Sequence, residues 1–185
     1  MTDQLLPVLL LGLLLPLWLL TGWLDAACHS RLQIEHSSGL YESRLHLVML
    51  AQLAIGVGAA LLLKVTAGAL ALMLLAALLH EATLLLDLAY AESTRRVPWF
   101  EQWIHGMQQA MPWGGLAGLV LLHPGQTLAL FGLGTEAADW ALRSKAPALP
   151  WWYLGAVAGV GLRMAAWPFV AEYLRCRRTE SRERS

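Results

Sequence analysis

Five stretches of this chain stay apolar for about the 20 residues that a helix needs to cross the hydrocarbon of a bilayer. They cover residues 5–24, 45–63, 67–89, 113–133 and 151–173. Hydrophobic residues make up 57% of the 185, and charged residues only 14%. A soluble domain carries roughly 25% charge, so the pattern excludes an ordinary soluble enzyme and a disordered chain. The 13 basic residues balance the 13 acidic ones, which removes the field that a nucleic-acid module would use. Two cysteines, Cys28 and Cys176, stand near opposite ends without a CxxC motif, so neither a disulfide scaffold nor a cysteine zinc site is expected. The expected fold class is all-α: a polytopic membrane helical bundle of about five transmembrane helices plus one short interfacial helix.

The first stretch lacks a basic leader and a small-residue cleavage site, and is read as a retained span with a kink at Pro16. Only Lys64, Val65 and Thr66 separate the second and third, which predicts a tight antiparallel hairpin. The fourth is interrupted at His123-Pro124-Gly125-Gln126, and the fifth opens on the interfacial aromatics Trp151-Trp152-Tyr153. Residues 1–174 read as one integral-membrane domain and 175–185 as a charged, solvated cytoplasmic tail. Arg31, Arg44, Arg95, Arg96 and the arginines of the tail gather on one side; Lys64, Arg143 and Lys145 lie on the other. By the positive-inside rule the N-terminus is outside and the C-terminus cytoplasmic, as in a bacterial inner membrane. Arg95 and Arg96 read as determinants of this topology that also suit lipid phosphate.

The chemistry is concentrated on the basic side. Asp25/His29, Glu42/His46 and Glu101/His105 are each an acid followed by a histidine four residues on. On a helix such a pair shares one face, one turn apart. The third stretch supplies His80 and Asp87 two turns apart, with Glu81 turned away from His80 by about 100°. If the hairpin turns near Val65, His46 lies level with about Leu85, close to Asp87, and His80 lies about two turns deeper. Glu101 and His105 read as the polar face of the interfacial helix, with Trp99, Phe100, Trp103 and Ile104 opposite. Four segments thus deliver an acid and a histidine to one boundary pocket. That ligand mixture suits two metal ions, iron first and zinc or manganese after it. Ionisable groups beside hydrocarbon carry a functional reading by default.

Further residues extend the expected site. Glu81 and Glu35 are candidate proton carriers, with Glu35 and His36 also candidate ligands. Arg163, inside the last span, is expected to pair with Glu81 or to hold an anionic substrate or headgroup. His123 falls on the far side and is left out.

In ligand type and count the pattern resembles the carboxylate-bridged di-iron proteins, and more loosely the membrane-bound di-metal oxidases and hydroxylases. The soluble members place the histidine three residues after the acid, whereas here the spacing is four. The histidine clusters of membrane desaturases do not occur, and Leu84 stands where a zincin would need its second histidine. The resemblance covers residues 25–105. It implies a di-iron oxidoreductase acting on a lipid-soluble or membrane-proximal substrate, served by an electron-donor protein, with the bilayer as its other partner and no nucleic acid. The alternatives are a membrane zinc hydrolase, or a non-enzymatic haem-binding or proton- or metal-ion-pathway protein.

Overall fold

The computed structural model describes residues 2–184. Six helices carry the fold: α1 (Leu5–Leu32), α2 (Gly39–Leu62), α3 (Ala67–Thr94), α4 (Trp99–Leu122), α5 (Pro124–Leu130) and α6 (Trp151–Glu183). Among the described residues, α1, α2, α3 and α6 are long and apolar enough to cross a membrane. The chain is an all-α membrane-type bundle.

Its burial pattern fits an apolar solvent. On α3, Leu75, Leu78, Leu79, Leu85 and Leu86 are exposed, whereas Ala69, Met73, Ala76, His80, Thr83, Asp87 and Ala91 are buried. The buried set recurs every three or four residues, the helical period. Small side chains on that face bring the neighbouring backbones close, as helix packing inside lipid requires. Gly56 and Ala76 meet on the α2–α3 seam.

Prolines shape the two end helices in the same way. A π turn at Leu10–Leu14 precedes Pro16 on α1, and another at Leu162–Ala166 precedes Pro168 on α6. A proline ring clashes with the carbonyl four residues back, and widening the turn relieves it. The distortion expected at Pro16 therefore takes the form of a π turn.

The fourth stretch is arranged differently from the expectation. The segment read as a separate interfacial helix is the beginning of α4, a single helix of 24 residues. The break at His123-Pro124 is present, with α5 following it. Residues 175–183, read as a solvated tail, continue α6 without a break, and Cys176 on them is buried.

The segment between α5 and α6 is stitched across the α2–α3 turn. Thr66 caps α3 by accepting from the Ala69 amide and donates to the Ala141 carbonyl at 3.1 Å, while Lys64 N–H donates to Arg143. Gly68 N–H donates to Asp139, and a Cβ at Gly68 would run into the Trp140 backbone carbonyl. Gly68→Ala is therefore expected to destabilise the protein by about 1–3 kcal/mol, read as a lowered melting temperature in detergent. An unchanged melting point would mean that this strap is not held against α3.

Candidate metal centre

At the opposite end of the bundle the acid–histidine pairs converge. α1 brings Asp25 and His29, α2 brings Glu42 and His46, α3 brings Asp87, and α4 brings Glu101 and His105; all seven are buried. α6 adds Glu172, which has 0% exposure. Two groups have ligand atoms close enough to share an ion: Asp25, His29, Glu101 and His105, and His29, Glu42 and His46. His29 belongs to both.

Glu172 sets the geometry. Its two oxygens lie 3.0 Å from Nδ1 of His29 and 2.7 Å from Nδ1 of His46. An ionised carboxylate only accepts, so both rings carry their proton on Nδ1. The rings then stack, with centroids 4.5 Å apart and planes 11° apart. Phe169, one turn before Glu172, lies against both.

This arrangement points both Nε2 atoms at further carboxylates. His29 Nε2 is 3.2 Å from Glu101 and 3.4 Å from Asp25. His46 Nε2 is 3.4 Å from Asp87 and 3.9 Å from Glu42. His105 Nε2 meets Asp25 from the other side at 3.1 Å. His46 Nε2 and both Asp87 oxygens are buried with no hydrogen-bond partner among the described residues. A neutral imidazole has one N–H and one lone pair, so it cannot satisfy carboxylates at both nitrogens. A second proton, making the ring an imidazolium, or a metal ion must stand between that nitrogen and the carboxylates.

Part of that cation is supplied by Arg95. Its guanidinium forks onto Glu42 through Nε at 3.2 Å and Nη2 at 2.6 Å, and onto Glu101 through Nη1 at 3.0 Å and Nη2 at 2.5 Å. Burial works against its charge, but the hydrogen bonds to Glu101 and Glu42 outweigh burial and raise its pKa above the usual arginine value. Five buried carboxylates against one guanidinium leave four negative charges, to be balanced by protons on the three imidazoles or by metal ions. Two divalent ions would cancel them. The residues present could thus hold metal, by donor type and by charge.

The other residues singled out in the sequence lie elsewhere. His80 is buried near Met49, outside the two ligand groups. Glu81 accepts from Gln109 and, at 3.1 Å, from Trp113 on α4. Arg163 does not reach Glu81; it is exposed on α6 with no ion pair among the described residues. Glu35 sits in a 3-10 turn, 3.6 Å from Arg175, and His36 beside it is exposed. Arg95, read as a topology determinant, has its guanidinium inside the cluster, while Arg96 is exposed.

Two members were missed in the sequence. Glu172 lies within the last apolar stretch, but the residue four positions on is Cys176 instead of histidine. The rule that an acid inside a span is functional by default would have flagged it. Arg95 had no comparable signal, because its neighbours in the cluster are 53 and 6 residues away along the chain.

No family model matches the chain, and no curated protein or solved structure matches it either.

Proposed function

We propose that the chain is an integral-membrane metalloenzyme of the di-iron oxidoreductase type, acting on a lipid-soluble or membrane-proximal substrate. The observation that carries this reading is the gathering of five buried carboxylates and three buried imidazoles whose ligand atoms form two overlapping groups. With Nδ1 held by Glu172, His29 serves one ion through Nε2, and Glu42, His46 and Asp87 remain for a second beside it. A bound iron pair of mixed carboxylate and imidazole ligation would supply oxygen activation. The chain's own residues do the rest. Glu172 fixes the tautomer and orientation of two imidazoles. Arg95 offsets charge on Glu42 and Glu101, and Gln108 holds Asp25 at 3.4 Å. Glu81, tied to the neighbouring Gln109, is the proposed proton carrier on the deeper side. The proposed orientation keeps the N-terminus outside and the cluster at the cytoplasmic face of a bacterial inner membrane, within reach of an electron-donor protein.

A zinc hydrolase is the second reading, favoured by the four ligands of the Asp25, His29, Glu101 and His105 group, which suffice for one zinc. Haem binding is disfavoured because His29 and His46 stack face to face instead of opposing each other across an iron.

Elemental analysis of detergent-purified protein tests the proposal. The expected result is about two irons per chain, lost in the Glu42→Ala/His46→Ala variant. His80→Ala is expected to keep both ions, since His80 lies outside the ligand groups. One zinc per chain would favour hydrolysis. A folded wild type without metal would remove the metalloenzyme reading and leave a proton or ion pathway.

A further inference from the structure

The bundle contains a second chemically distinct place, a largely apolar cavity of about 460 Å³ on the far side from the carboxylate cluster. Its walls come from α1, α2, α3 and α4, with Leu14, Trp18, Val57, Met73 and Leu119 among them. This volume lies in the lower half of the range of small-molecule pockets, about 300–1,000 Å³. It has room for one aliphatic chain, not for the paired chains of a whole phospholipid.

The ends of the cavity differ. At one end Lys64, His123 and Lys145 line it. Neither lysine has a carboxylate partner among the described residues; Lys145 Nζ donates to the Ala60 carbonyl at 2.7 Å, and Lys64 is exposed. Nearby acids are engaged elsewhere, Asp139 with Arg143 and Glu136 with Gln126. The other end reaches Gln52 and Ala77, and Gln52 Oε1 is buried without a hydrogen-bond partner among the described residues. Ala77 stands one helical turn before His80 on α3.

We propose that this cavity binds a single-chain aliphatic carboxylate, with its headgroup on Lys64, Lys145 and His123 and its chain extended toward Gln52. Charge complementarity selects the headgroup, because the half-buried Lys145 and the exposed Lys64 stand at the rim of an apolar cavity without a carboxylate partner among the described residues. Burial also pulls the Lys145 ammonium below its usual pKa, and a bound carboxylate would restore its charge. The walls select the chain, since they offer it dispersion contacts along most of its length. Binding here does not depend on what the carboxylate cluster holds.

Equilibrium binding of hexadecanoate and of hexadecanol to the detergent-purified protein tests this. Wild type should bind hexadecanoate more tightly than hexadecanol. Lys64→Gln/Lys145→Gln should weaken hexadecanoate about tenfold and leave hexadecanol unchanged, as expected for loss of charged hydrogen bonds. Val57→Trp, which fills the cavity, should abolish both. Lys64 is exposed and Lys145 lies on the strap, so the lysine variant tests the headgroup whether or not Val57→Trp folds. Folding is judged by monodisperse elution and helical circular dichroism. Equal affinity for acid and alcohol in the wild type would overturn the headgroup assignment. Absence of binding of either ligand would overturn the site, and because no turnover is read, that result would leave the metal reading untouched.

Discussion

Glu172→Ala is expected to strip both halves of the carboxylate–histidine cluster at once. Among the described residues, Glu172 is the one whose oxygens reach Nδ1 of both His29 and His46. Without it, two N–H groups lose their acceptor in a dry interior, and each ring is free to rotate or to move its proton to Nε2. Loss of such an outer partner typically lowers metal affinity about 10–100-fold. Here one residue serves two rings, so both ions should fall to the weaker affinity together. Glu172→Gln separates orientation from bulk. A carboxamide offers one acceptor oxygen and one NH2 donor, so it can hold only one of the two Nδ1–H groups. The other ring must protonate on Nε2 and turn a donor toward the carboxylates, where a ligand lone pair is needed. Glu172→Gln should therefore retain about one of two ions, while the alanine variant retains neither after dialysis against a competing chelator. Elemental analysis of the two variants side by side decides it. Full metal retention in both would show that Glu172 does not position the imidazoles.

How much of this was legible in the sequence depends on the range over which each signal acts. The helices were readable because apolar length is a local property and the bilayer imposes it. The acid–histidine pairs were readable because a four-residue spacing fixes a shared face whatever the helix packs against. The level of His46 with Asp87 followed from the short hairpin alone, and the two stand 3.4 Å apart. What sequence could not provide is the rotation of each helix about its axis. His80 was expected about two turns deeper than Asp87, but at that level, beside Met49, it lies outside both ligand groups. Arg163 has the right depth for Glu81, but α6 turns it outward, and Glu81 spends its oxygens on Gln109 and Trp113. Glu172 entered the cluster through contacts 143 and 126 residues away and Arg95 through contacts 53 and 6 residues away, none at a helical spacing. The boundary between α4 and its expected interfacial segment was lost for a related reason. The polar residues Glu101, His105 and Gln109 recur every four positions and continue the helix as an inward face instead of ending it.

Arg95→Ala is expected to have the largest effect on stability and the opposite effect on metal affinity. The side chain is 6% exposed and carries four hydrogen bonds to Glu42 and Glu101, both at 0%. Removing one partner of a buried ion pair leaves an uncompensated charge and costs about 3–5 kcal/mol. In a protein of this size that corresponds to roughly 6–20 °C in melting temperature without metal. Arg95→Lys should recover only part of the loss, because an ammonium has three donors and no planar fork to replace the four hydrogen bonds of the guanidinium. A merely structural arginine would behave the same way up to this point. The distinguishing result comes with added divalent metal. In the metal-free wild type, Arg95 already offsets part of the charge that bound ions would neutralise, and its positive charge repels them. Its loss should therefore raise affinity for a divalent cation, and saturating metal should narrow the gap in melting temperature between variant and wild type through binding linkage. Thermal unfolding of wild type, Arg95→Ala and Arg95→Lys, each with and without divalent metal, reads both effects in one experiment. If metal leaves the gap unchanged, Arg95 and the ions do not act on the same carboxylates, and the charge balance proposed for the cluster does not hold.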